Sequence, residues 1–195
     1  MLEVQQLSIV QDGRQLWDCV SFQVRPGERQ GISAPSGYGK TTLGRVLAQW
    51  QSATSGSITV DGKALAKKGY CPVQLVPQHP EQTFNPYRTT GESLRDAWSP
   101  DAAWLARLAV NPGWLARRPD ELSGGELARI ALLRALDPRT RYLIADEVTA
   151  QLDAHVQAQV WQVLLEETRR RELGMIVFSH NKALLQKVCS SIWLP

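Results

Sequence analysis

Four short segments fall in a fixed order along this 195-residue chain, and together they leave few folds open. The first is a glycine-rich loop, Ala34-Pro35-Ser36-Gly37-Tyr38-Gly39-Lys40-Thr41-Thr42, set between an apolar segment and a helical one. Gln78 follows in LVPQHPEQTFNP, then the run Leu122-Ser123-Gly124-Gly125-Glu126, then Tyr142-Leu143-Ile144-Ala145-Asp146-Glu147, with His180 closing the series. A loop that cradles a dense anion needs many backbone N–H donors at close range, and glycine permits that approach because it has no Cβ. Gly37 and Gly39 supply this freedom, and the helix that follows offers its N-terminal amides.

The other segments carry chemistry by the same reasoning. Lys40 directly after the loop is placed to reach phosphate oxygens, and the Thr41 hydroxyl to meet a divalent cation. Two adjacent acids, Asp146 and Glu147, end an apolar strand, where carboxylates are costly without a polar role. Ser123 and Glu126 read as a capping box at a helix start; that box does not explain Gly124-Gly125, which weaken a helix. Asp153 reads as a helix cap as well as a candidate contact residue.

The remaining pattern predicts an α/β fold with a mostly parallel sheet, an antiparallel β region near the N-terminus and a short inserted helical segment. Strands are expected around Leu2–Val4 and Val20–Val24 with a turn at Asp12-Gly13, and then at 29–33, 57–60, 73–76, 142–145 and 175–178. Helices are expected over 40–50, 92–98, 101–110, 126–136, 153–170 and 182–188. The expected organisation is one domain over 1–195, with an α/β core and β subdomain from 1–78 and 123–195, and a helical subdomain over about 79–122. Trp98, Trp104 and Trp114 fall in that subdomain, where packing is the favoured role over contact with a partner.

Composition adds mainly exclusions. No apolar run reaches the roughly 18–20 residues of a membrane span, and MLEVQQLSIV lacks the pattern of a signal peptide. A net charge of +3 is too small to argue for nucleic acid, and Arg169-Arg170-Arg171 reads as a solvated helix end. Cys19, Cys71 and Cys189 have no pairing or metal-ligand spacing and read as reduced thiols.

On the loop, Gln78, LSGGE and the strand ending in Asp-Glu, the chain resembles the nucleotide-binding subunit of an ABC ATPase from about Leu2 onward. The context QHPEQTFNP followed by TGESL is similar to the peptide and nickel importer branch. The resemblance implies an ATPase in which Ser36, Gly37, Tyr38, Gly39, Lys40, Thr41 and Thr42 bind ATP, and Thr41, Gln78 and Asp146 hold Mg²⁺. It implies Glu147 as the base acting on water, with His180, Gln78 and Lys40 as further catalytic groups. Ser123, Gly124, Gly125 and Glu126 would cover the ATP of a facing subunit, and Asp153 would cross to it. The implied partners are ATP, a second ATPase subunit of the same or another chain, membrane-spanning permease subunits and an external substrate-binding protein. Nucleic acid is not among them. The implied location is peripheral, on the cytoplasmic face of the inner membrane.

Departures from the family pattern are Ala34 where glycine is usual, Tyr38 where a small polar residue is usual, and Val10 and Gln11 where an adenine-stacking aromatic is expected. Trp17 is a candidate substitute for that aromatic, with core packing the favoured reading. The absence of an extension after the switch histidine makes nickel or a metal chelate as plausible a cargo as peptide. Phe84 is expected to anchor a cytoplasmic helix of the membrane partner. Two other readings stay open: a non-transport ABC ATPase acting on nucleic acid or ribosomes, and a binding-only regulatory subunit.

Overall fold

A computed structural model describes residues 1–35, 37–66 and 68–194. The chain divides into two compact units. The first comprises Met1–Leu75, Thr140–Asp146 and the segment from Thr168 onward, and the second comprises Val76–Arg139 and Glu147–Glu167.

In the first unit, β1 (Leu2–Gln11) and β2 (Arg14–Val24) form an antiparallel hairpin. Both turn residues lie in the left-handed region, Asp12 at φ 51° and Gly13 at φ 75°, as a two-residue hairpin requires. With β4 (Ser55–Val60) and β5 (Lys63–Ala64) the hairpin makes a four-stranded antiparallel sheet in the order β2-β1-β4-β5. A five-stranded sheet in the order β6-β7-β8-β3-β9 is formed by β6 (Val73–Val76), β7 (Tyr142–Asp146), β8 (Gly174–Phe178), β3 (Arg29–Ile32) and β9 (Ser191–Trp193). Every residue of β7 and β8 is buried, which is why these strands read as unbroken apolar runs in the sequence.

Parallel register fixes what the site is built on. Ile32 pairs with Phe178, and Phe178 with Asp146, so β3, β8 and β7 end in one row. The loops that follow them leave one edge of the sheet, the C-terminal edge at which open α/β sheets bind ligands. Helix α1 (Lys40–Leu47) buries Leu43, Gly44, Val46 and Leu47. Gly44 permits its close approach to the sheet: a Cβ there would lie 3.0 Å from the Phe178 ring and 3.2 Å from Leu75.

The second unit is helical: α2 (Thr90–Arg95), α3 (Ala102–Arg107), α4 (Gly124–Ala135) and most of α5 (Ala154–Arg171), with 3-10 turns at Pro80–Thr83, Pro112–Ala116 and Pro119–Glu121. The helices of the inserted segment stop short of their expected C-terminal ends, at Arg95 and Arg107, and after α3 the chain turns through Ala109 at φ 51°. Thr89 and Glu92 form a capping box on α2, and Asp101 accepts the Trp104 N–H at the start of α3. The three tryptophans pack within the unit. The Trp98 indole donates to the Leu133 carbonyl at 2.9 Å and meets Trp104 edge-on, while Arg129 lies over Trp114. Helix α6 (Lys182–Val188) precedes β9 in the first unit. Cys19 is exposed, and Cys71 and Cys189 are half-buried; burial pushes the Cys71 thiol up and that of Cys189 up to about 11.

Candidate functional site

The glycine-rich loop joins the end of β3 to the start of α1. Gly39 sits at φ 91°, a left-handed conformation that a side chain would strain, and a Cβ there would lie 3.1 Å from both Leu16 and Trp17. The Gly39 carbonyl accepts the Leu43 N–H at 2.9 Å, the first bond of α1, and also the Trp17 indole N–H at 3.0 Å. Ser36, expected in the ATP-binding set, lies outside the described residues; Gly37 and Tyr38 are exposed. Ala34 is buried and does not take the left-handed backbone conformation, so alanine fits here without strain.

Lys40 is buried with its ammonium folded onto the start of its own loop, donating to the Ala34 carbonyl at 2.5 Å and the Pro35 carbonyl at 3.0 Å. A cation held among carbonyls at the mouth of an amide-lined loop is suited to an anionic ligand. Thr41 donates its hydroxyl to Asp146 Oδ2 at 2.6 Å, so the first turn of α1 and the end of β7 bring a hydroxyl and a buried carboxylate together. Magnesium takes one or two carboxylates and fills its remaining positions with water and phosphate oxygens, and this pair fits that habit. Thr42 donates to Gln11 Oε1 at 3.3 Å, tying α1 to the tip of the β1–β2 hairpin. His180 is exposed two residues past the end of β8, following the buried Ser179.

In the second unit, Gln78 Nε2 donates to Glu147 Oε2 at a long 3.4 Å, bringing two of the expected catalytic groups together. Glu147 has φ 49°. This left-handed conformation directly after β7 ends the regular alternation of the strand at Asp146.

Ser123 and Glu126 close the expected capping box. The Ser123 N–H donates to Glu126 Oε2 at 2.8 Å and the Glu126 N–H to Ser123 Oγ at 3.3 Å, and the Ser123 amide holds the Glu126 carboxyl below its ordinary range. The two glycines beyond the box have a packing reason: a Cβ on Gly124 would come within 2.1 Å of Gln151 Oε1, and one on Gly125 within 3.1 Å of the Gln151 carbonyl. Asp153 Oδ1 accepts the His155 and Val156 N–H groups, each at 3.0 Å, and these bonds lower its pKa.

One expectation is overturned. Phe84 is only 6% exposed, and the Arg134 guanidinium lies 4.4 Å above its ring while donating to the Thr83 carbonyl and hydroxyl. It is a packed ring and not a free anchor. Trp17, at 3% exposure, is likewise a core residue rather than a wall for a base. Gln151 and the Trp17 tether went unread in the sequence, because each acts through a tertiary contact that no spacing encodes.

A family model described as ABC transporter matches residues 17–150. The chain belongs to the ABC transporter family. Among curated relatives of this ABC chain, a glutathione import ATP-binding protein of Pectobacterium atrosepticum is 32% identical over 188 residues, covering 87% of the chain and 30% of the relative. An iron(III) import ATP-binding protein of Rhodococcus jostii is 33% identical over 175 residues, covering 84% and 50%. The chain thus spans between about a third and three fifths of the length of such relatives, an oligopeptide transport ATP-binding protein of Bacillus subtilis (29% identical) being covered to 59%. Among solved structures, a dimeric ATP-binding cassette with ADP and Pi matches the whole chain with a TM-score of 0.84 at 19% identity, covering 94% of that cassette. At that identity the likeness establishes the ABC cassette fold.

Proposed function

We propose that this chain is the ATP-binding and ATP-hydrolysing subunit of an ABC importer. The observation that carries the reading is the pairing of Thr41 with Asp146 beside the buried Lys40, at the sheet edge where the glycine-rich loop begins. Loop amides and Lys40 bind the triphosphate, with Ser36, Gly37, Tyr38, Gly39 and Thr42 along it. Mg²⁺, held through Thr41, Asp146 and Gln78, would neutralise charge on the β- and γ-phosphates. Glu147 accepts the proton of a water attacking the γ-phosphorus as the bond to the β–γ bridging oxygen breaks. Gln78, within reach of Glu147, orients that water, and His180 contacts the γ-phosphate.

A second copy or a paired ATPase chain supplies Ser123, Gly124, Gly125 and Glu126 over this nucleotide, with Asp153 crossing to it. Membrane-spanning permease subunits and an external binding protein complete the importer, which places the chain on the cytoplasmic face of the membrane. Relatives named for glutathione import, iron(III) import and oligopeptide transport support the importer reading, and the cargo proposed here is a peptide, nickel or a metal chelate.

The test is Glu147→Gln. Loss of a positioned base lowers turnover by about 10²–10⁴-fold, while ATP binding stays at the wild-type level. Hydrolysis in the variant close to the wild-type rate would remove Glu147 from the chemistry. A wild-type chain that binds ATP but never hydrolyses it, even with a paired ATPase, would favour the binding-only reading.

A further inference from the structure

One aromatic ring stands on the glycine-rich loop itself. Tyr38, between Gly37 and Gly39, is 37% exposed. Its ring meets the Trp17 indole edge-on, with centroids 5.2 Å apart and planes at 77°. Behind it, Trp193 lies 5.6 Å from Trp17, and Phe22 lies 5.6 Å from Trp193. Four rings thus run from β2 to the loop, and Tyr38 alone among them is exposed.

Three physical points follow. The Trp17 indole N–H on the Gly39 carbonyl fixes the backbone immediately after Tyr38, and with it the direction in which the ring leaves the loop. A tyrosine seated against a buried indole gives up little rotamer freedom on binding a ligand, so its contact is preorganised. An edge-on arrangement occupies at most one face of the Tyr38 ring, leaving the other open to a flat partner. Beside these rings, the hairpin tip brings Val10, 40% exposed, and Gln11, bonded to Thr42. No aromatic stands at either of those positions.

We propose that Tyr38 is the residue that takes the flat face of the nucleotide base, and that Trp17 is a positioning residue that holds both the ring and the loop. The inference rests on the ATP-binding reading above. In it the triphosphate lies along the loop amides and the base folds back over Tyr38. Stacking asks only for a flat π-face, so adenine and guanine are accepted nearly alike.

The experiment compares two ligands on the full chain by calorimetry: Mg-ATP, and Mg-bound inorganic triphosphate, which has no base. Tyr38→Ala is expected to weaken ATP about tenfold and to leave inorganic triphosphate within about twofold. Tyr38→Phe should restore ATP binding. Trp17→Phe keeps an aromatic filler but removes the N–H, and should weaken both ligands, because it acts through the loop. Unchanged ATP affinity in Tyr38→Ala, or equal losses for both ligands, would overturn the assignment. A Trp17→Phe chain that binds both ligands as wild type would overturn the positioning role. Failure of the wild type to bind either ligand would sink the ATP-binding reading first, and is distinct from every variant outcome.

Discussion

At the scale of single residues, the glycine-rich loop tolerates alanine as its first residue because of where its backbone sits. Ala34 avoids the left-handed region that would have demanded glycine, and its carbonyl holds Lys40. Ala34→Gly should therefore leave ATP affinity within about twofold. It should lower stability by about 0.5–1 kcal/mol through added freedom in the unfolded chain, a fall of roughly 2–4 °C per kcal/mol in the thermal midpoint for a domain of this size. A large gain in affinity would show that the alanine strains the loop after all. That Lys40 meets the glycine-rich loop and Thr41 meets Asp146 was legible in the sequence, because anion and cation chemistry restricts which residue types serve, and at what spacing. The contact of Trp17 with the loop was not legible: a buried tryptophan and a base-facing one look alike until the Gly39 carbonyl appears beside the indole.

At the scale of elements, strand identity was easier to read than helix extent. The buried β7 and β8 announce themselves as apolar runs, whereas α2 and α3 end within six residues each, set by caps and by tertiary contacts. The same limit hid Phe84. The sequence context TFNP suggests an exposed loop, yet Arg134, 50 residues further on, covers the ring from α4. Desolvation depresses the Arg134 pKa, and its bonds to Thr83 offset that burial. Phe84→Ala is accordingly expected to cost about 3–5 kcal/mol of stability, read in urea denaturation. ATP affinity measured well below the unfolding midpoint should be unchanged. A variant as stable as wild type would return Phe84 to the surface role that its burial contradicts.

At the scale of the whole molecule, the chain crosses between its two units four times, and the proposed catalytic set is divided by those crossings. Lys40, Thr41, Asp146 and His180 belong to the first unit; Gln78, Ser123, Glu147 and Asp153 belong to the second. Asp146 and Glu147, adjacent in sequence, straddle one crossing. If Ser123 serves the nucleotide of a facing copy, hydrolysis per chain should rise with protein concentration. A mixture of Ser123→Arg and Lys40→Ala chains should regain activity at no more than one of its two sites. Dilution-independent turnover by a chain that sediments as a monomer would contradict the shared site.

The three thiols carry a practical consequence. Thiolates, not thiols, react with alkylating reagents, and burial raises the pKa of Cys71 and Cys189 while Cys19 lies exposed on β2, two residues from Trp17. The native chain thus offers one preferred attachment point for a fluorophore, beside the tryptophan that bonds the Gly39 carbonyl of the glycine-rich loop. Movements of that loop become visible by quenching, with no cysteine having to be engineered in or out.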